Sequence, residues 1–187
     1  MDIQFYREKL EEAGVAFAPG LTEAEARRAE ESYGFHFPPD LLEFLTYALP
    51  VSKGWPDWRE PDSHHVRQVM SWPFEGICFD IERNGFWLDD WGPKPRTSAE
   101  AFAVAQRKLN EAPKLVPVCG HRYLPDRPGS AGNPVFSVYQ TDIIYYGSDL
   151  RNYFENEFSY FFGTPGHRLK GPIRRIEFWS GFAEEEF

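Results

Sequence analysis

From Gly76 to Pro95 the chain reads GICFDIERNGFWLDDWGPKP, with two apolar-rich runs on either side of Asn84-Gly85. Asn-Gly between such runs is the strongest short-range hairpin signal, because both central residues of a type I′ turn need positive φ. A two-residue turn here sets Arg83 opposite Phe86, Ile81 opposite Leu88 and Phe79 opposite Asp90. One face then carries Ile77, Phe79, Ile81, Phe86 and Leu88. The other carries Cys78, Asp80, Glu82, Trp87, Asp89 and Trp91. The first face reads as core and the second as an acidic surface with two tryptophans.

That acidic face conflicts with local stability. Asp80 and Asp89 oppose each other with Glu82 close by, and like charges directly opposite on paired strands repel. Either a bend at Asp89-Asp90 separates them, or a cation sits between them: an internal Arg or Lys, a partner's side chain or a metal ion. Two or three carboxylates without further oxygen ligands make a poor metal cage. Charge for steering and aromatic area for anchoring are what a basic partner needs. Asp80, Glu82, Trp87, Asp89, Asp90 and Trp91 are therefore the candidate partner-binding residues, with at least one of Trp87 and Trp91 half-exposed.

The 187 residues fit one domain spanning 1–187, with a core over about 21–162 and the N-terminal helix and C-terminal tail as extensions. The net charge of −9 is concentrated early: residues 1–60 hold 12 acidic and 6 basic side chains. Nucleic-acid binders want a basic face, so that class is disfavoured, and a basic protein partner is favoured. Acidity also serves solubility alone. The two cysteines, Cys78 and Cys119, give no disulfide framework and suit a reducing cytoplasm. No apolar run is long enough to span a bilayer, and the N-terminus lacks a signal-peptide core.

In chain order, a short helix over Asp2–Ala13 stops at Gly14, and Thr22-Glu23-Ala24-Glu25 forms a capping box for a helix ending near Tyr33-Gly34. Phe35 to Pro38 is extended, and Pro39 opens a helix over 40–49 whose leucines and Phe44 cover most of its circumference. Residues 51–74 read as a long ordered loop with one short strand at Val66–Met70. Thr97 to Glu100 offers another cap, for a helix with Phe102, Ala105 and Leu109 on one face and Pro113 beyond its end. Leu115–Val118, Val135–Tyr139 and Ile143–Tyr146 are strands, the last two joined by a tight turn, and Gly120–Asn133 is a loop. Ser148 caps a further helix. The tail holds Arg168, Lys170, Arg174 and Arg175, then Glu184-Glu185-Glu186. This order argues for α+β: a mostly antiparallel twisted sheet over 77–83, 86–90, 135–139 and 143–146, with helices packed on one face.

Four stretches together resemble the SUKH superfamily: LTEAEARRAEESYGFHFPPDLLEFL, FDIERNGFWLDDWGPKP, LVPVCGHRYLP and GNPVFSVYQTDIIYYGSDLRNYFENEF. That group includes a fungal cell-wall-synthesis regulator and many bacterial immunity proteins. The resemblance implies an α+β fold and a non-catalytic binding domain, in bacteria often one that neutralises a toxin by direct contact. The family has no fixed catalytic motif to carry over. The helix before Leu21 and the tail after Phe162 lie outside the resemblance.

Catalytic and cofactor motifs are lacking in the sequence: no GxSxG elbow, no P-loop and no GxGxxG. His64-His65 and Cys119-Gly120-His121 lack the spaced partners of a zinc site. Arg122 and Arg127 in the Gly120–Asn133 loop read either as part of a solvated loop or as an anion contact. Trp55 and Trp58 are either core residues or interface anchors. The expectation is thus no catalytic residue, no metal and no cofactor, in an immunity-type protein-binding domain of a toxin–antitoxin pair. The alternatives are a regulatory or scaffold module and a metal-dependent hydrolase built on the hairpin carboxylates.

Overall fold

A computed structural model of the chain describes residues 1–184. Helix α1 (Ile3–Glu12) is capped by Asp2, whose carboxylate accepts from the Phe5 amide. Strand β1 (Phe17–Pro19) follows, then α2 (Glu23–Tyr33) with the Thr22–Glu25 capping box formed in both directions. Gly34 ends α2 in the left-handed region at φ 65°. Pro39 starts α3 (Pro39–Tyr47), with Leu41, Phe44 and Leu45 buried. The chain then straightens two residues earlier than the apolar pattern implies, and β2 (Ala48–Pro50) pairs antiparallel with β1.

The main departure from the sequence pattern comes next. Residues expected to be loop, strand and hairpin form one helix, α4 (His64–Arg83), capped by Ser63. Its buried apolar residues Val66, Val69, Pro73, Ile77 and Ile81 recur every three or four positions, one stripe of a helix. Ile77 and Ile81 belong to this stripe as an i,i+4 pair; the apparent two-residue period through Phe79 spans too little chain to compete. Val66–Met70 is the first turns of α4 rather than a strand. Asn84-Gly85 serves as a helix stop, not a hairpin turn. Asn84 is the C-terminal cap, Gly85 takes φ 73°, and the Phe86 amide donates back to the Asp80 carbonyl at 3.0 Å. The Lys94 ammonium donates to the Ile81 and Phe86 carbonyls, placing a cation at the helix C-terminus. Pro73 sits inside α4 and cannot donate to the Val69 carbonyl. The buried Tyr123 hydroxyl donates to that carbonyl instead, at 2.7 Å.

Residues 86–90 are not a strand. The chain turns through one 3₁₀ turn (Asp89–Trp91) into α5 (Ser98–Glu111), capped by Thr97. The sheet is β3 (Leu115–Cys119), β4 (Arg122–Pro125), β5 (Val135–Tyr139) and β6 (Asp142–Gly147), antiparallel in chain order. Strand β4 lies within the stretch expected to be loop. Asp149, not Ser148, caps α6 (Leu150–Glu157). Short helices α7 (Ser159–Phe162) and α8 (Trp179–Glu184) follow.

The class is α+β with a four-stranded antiparallel sheet, as expected. The helices, expected on one face, take both. Neighbouring strand residues feed two separate apolar clusters: Val116, Leu124 and Val135 pack with α1, α2, α3 and α6. Leu115, Tyr123, Phe136 and Val138 pack with α4, α5 and α8. The 168–176 segment is tied down by two buried amides: Asn152 donates to the Arg168 carbonyl and Asn156 accepts from the Arg168 amide. Ile176, Trp179 and Phe182 are buried, so the tail completes the second cluster rather than extending from the domain. Glu185 and Glu186 of the acidic terminus lie outside the described residues. Among the described residues no helix is long and apolar enough to cross a membrane.

Candidate functional site

The α4 C-terminus and the β5–β6 turn meet at Asp80. This carboxylate is 3 % exposed and accepts from the Thr141 amide at 2.8 Å and the Thr141 hydroxyl at 2.6 Å. The Asn84 side-chain amide donates to its other oxygen. Gly76, one helical turn earlier, makes the approach possible: a Cβ there would stand 2.7 Å from the Gln140 Cα. Helix and turn therefore touch backbone to backbone. The expected Asp80–Asp89 opposition does not exist, because no strand pair carries them. Asp80 is a buried anchor whose charge is met by three donors.

A cleft of about 820 Å³ opens beside this junction, lined by Asp80, Trp87, Asp89, Asp90 and the turn residues Gln140, Thr141 and Asp142, among others. Of the six residues singled out from sequence, it brings together Asp80, Trp87, Asp89 and Asp90. Glu82 lies outside it, exposed and paired with Arg83 at 3.2 Å. Trp91 is buried behind it, edge-on to Trp87 at 5.2 Å and stacked parallel to Phe178. Trp87 is half-buried, its indole N–H donating to the Gly92 carbonyl at 2.7 Å. Asp89 and Asp90 are exposed. Asp142 adds a carboxylate that the sequence pattern did not indicate; only the docking of the β5–β6 turn on α4 brings it here. Among the described residues no Lys or Arg lines the cleft.

An aromatic patch adjoins the cleft across Gln140. Trp72 and Phe79 come from one face of α4 and Tyr139 from the end of β5, beside Glu75. Phe79 is 46 % and Tyr139 56 % exposed. Trp72 is fixed by donating to the Val138 carbonyl at 3.3 Å. Phe79, expected to face the core of a hairpin, thus points outward from a helix.

The other candidates resolve into structure. Trp55 and Trp58 are buried, and Trp58 meets Phe35 and Phe37 edge-on. Arg122 pairs with Glu157 at 3.1 Å, donates to Ser137 and lies 3.7 Å over the Tyr146 ring, so it is not a free anion contact. Arg127 donates to the Glu111 carbonyl. His64 and His65 are exposed on the first turn of α4. Burial, then nearby Glu157, pushes the Cys119 thiol up to about 12, and burial, then Glu75, pushes Cys78 up to about 11. Burial lowers His121, with Arg122 adding to the effect. These are the shifts of inert side chains rather than of a nucleophile–base pair. Among the described residues no three His, Cys, Asp or Glu side chains converge to hold a metal ion. In the tail, Lys170 pairs with Glu155, Arg175 with Glu184, and Arg174 donates to Ser130 and Asn133.

Comparisons with family models, with curated proteins and with solved structures find no match to this chain.

Proposed function

We propose that the chain is a non-catalytic protein-binding domain whose binding face is the acidic cleft and its aromatic flank. The observation that carries this is the pairing of unlike surfaces across Gln140: carboxylates of Asp89, Asp90 and Asp142 with no Lys or Arg among the described lining residues, and exposed Phe79 and Tyr139 beside them. Uncompensated negative charge steers a basic partner and selects its orientation. Aromatic side chains held on a helix and a strand end provide anchor area with little entropy to lose. The resemblance of four sequence stretches to the SUKH superfamily favours a toxin-neutralising immunity protein over a regulatory scaffold. Cytoplasmic residence accords with two unpaired cysteines.

The test is a pull-down with the tagged chain against the products of neighbouring genes, followed by calorimetric titration of the captured partner. The expected partner is a basic domain, bound about tenfold or more weakly by Asp89→Asn/Asp90→Asn/Asp142→Asn, with affinity falling as salt rises. A partner that binds this triple variant and Phe79→Ser/Tyr139→Ser as it binds the native chain places the interface elsewhere and refutes the proposal.

A further inference from the structure

A second groove, on another side of α4, has the opposite character. It lies where the middle of α4 meets α5 and the C-terminal segment, with a volume of about 420 Å³. Met70, Phe74, Leu109 and Trp179 supply apolar walls, and Arg67 and Lys114 are its only charged lining residues among those described. Neither forms an ion pair among the described residues. In a chain of net charge −9, this apolar groove carries two cations without an ion pair among the described residues, although Lys114 also sits near Asp126, whose carboxylate accepts from the Lys114 amide at 2.7 Å. The walls are pre-set. The Trp179 indole donates to the Pro113 carbonyl at 2.7 Å, and the Tyr33 hydroxyl donates to the Pro61 carbonyl at 2.6 Å. A groove already in shape spares the entropy of ordering it on binding, and Met70 can adapt to the shape of an anchor.

We propose that this groove docks an acidic amphipathic segment of a partner protein. An apolar or aromatic side chain of the segment packs on Phe74 and Leu109, and Asp or Glu carboxylates beside it meet Arg67 and Lys114. The guanidinium of Arg67 presents a fork suited to a carboxylate. The site is independent of the acidic cleft and selects a partner of opposite charge.

The experiment pans phage-displayed random dodecapeptides on the full chain at low salt. Affinities of the enriched peptides are then measured by fluorescence anisotropy. Acidic residues flanking an apolar anchor are expected among them, with affinity about tenfold or more lower for Arg67→Glu/Lys114→Glu and falling as salt rises. Lys114 is half-buried near Asp126, whereas Arg67 is exposed, so Arg67→Glu alone should melt as the native chain does and separates loss of binding from loss of fold. Asp89→Asn/Asp90→Asn should leave these affinities unchanged. Enriched peptides without carboxylates, or peptides that bind the charge-reversed chain equally well, overturn the proposal. So does laurate that displaces every acidic peptide and binds more tightly than any of them, which would make the groove a lipid site.

Discussion

The Asp80 carboxylate holds both the amide and the hydroxyl of Thr141, a residue 61 positions later in the chain. Through this contact the C-terminal turn of α4 fixes the β5–β6 turn, and with it the positions of Gln140 and Asp142 at the cleft. Asp80→Ala should destabilise the domain by about 1–3 kcal/mol, because it leaves buried donors unpaired. Asp80→Asn, which keeps one acceptor oxygen, should cost less. Urea melts check both. An unchanged or raised midpoint would restore Asp80 to the role of a strained carboxylate available for function.

Gly76 should resist replacement. In an exposed helix interior, Gly→Ala gains up to about 1 kcal/mol. Here the added Cβ meets the Gln140 backbone at 2.7 Å, so helix or turn must move. Gly76→Ala is expected to lose about 1–3 kcal/mol, as overpacked sites do. It should also raise hydrogen exchange at the Thr141 amide, which depends on that approach. A stabilising Gly76→Ala in thermal melts would mean the close contact is not kept in solution.

Pro73 and Tyr123 should be coupled. Tyr123→Phe removes the donor that satisfies the Val69 carbonyl, at an expected cost of about 1–3 kcal/mol. In a Pro73→Ala background the helix regains its own N–H donor to that carbonyl. The Tyr123→Phe cost should then shrink by roughly 1 kcal/mol, the coupling a double-mutant cycle isolates. Strict additivity in denaturant melts would contradict this account of the proline.

The thiols should be unreactive, and they set an alkaline limit on stability. With Cys78 raised to about 11 and Cys119 to about 12, little thiolate exists at pH 8, and iodoacetamide should label the native chain far more slowly than the denatured one. The unfolded thiols release their protons near their ordinary value of 9.0 while the folded ones retain theirs. Stability from this source is therefore fully present below pH about 9 and falls as pH rises toward 11–12. Tm measured at pH 7, 9 and 10.5 should be flat over the first interval and drop over the second. Rapid native-state labelling at pH 8 would refute the burial of these thiols.

Much of the local structure is legible from short-range chemistry. The Thr22–Glu25 box, the stop at Gly34, the start at Pro39, the Thr97 cap and the tight turn between β5 and β6 each depend on groups within a few residues of one another. Such signals act in the same way whatever the rest of the chain does. Asn84-Gly85 shows where that stops. The dipeptide supplies a residue with positive φ, which serves a hairpin turn or a helix end equally well. The choice was made by burial over a longer span, since the buried positions from Val66 to Ile81 fall on one side of the chain only in a helix. Four of the six residues singled out around position 80 do line one cleft, but the strand-pair arrangement expected of them does not form. Asp80 became an anchor and Trp91 core, while Asp142 and Tyr139 joined the surface from about 60 residues away in the chain. Capping and turn preferences are properties of adjacent residues, and the sequence by itself determined them. Which carboxylate is buried, which aromatic is exposed and which loop meets which helix depend on contacts between distant segments, and only the tertiary structure decided them.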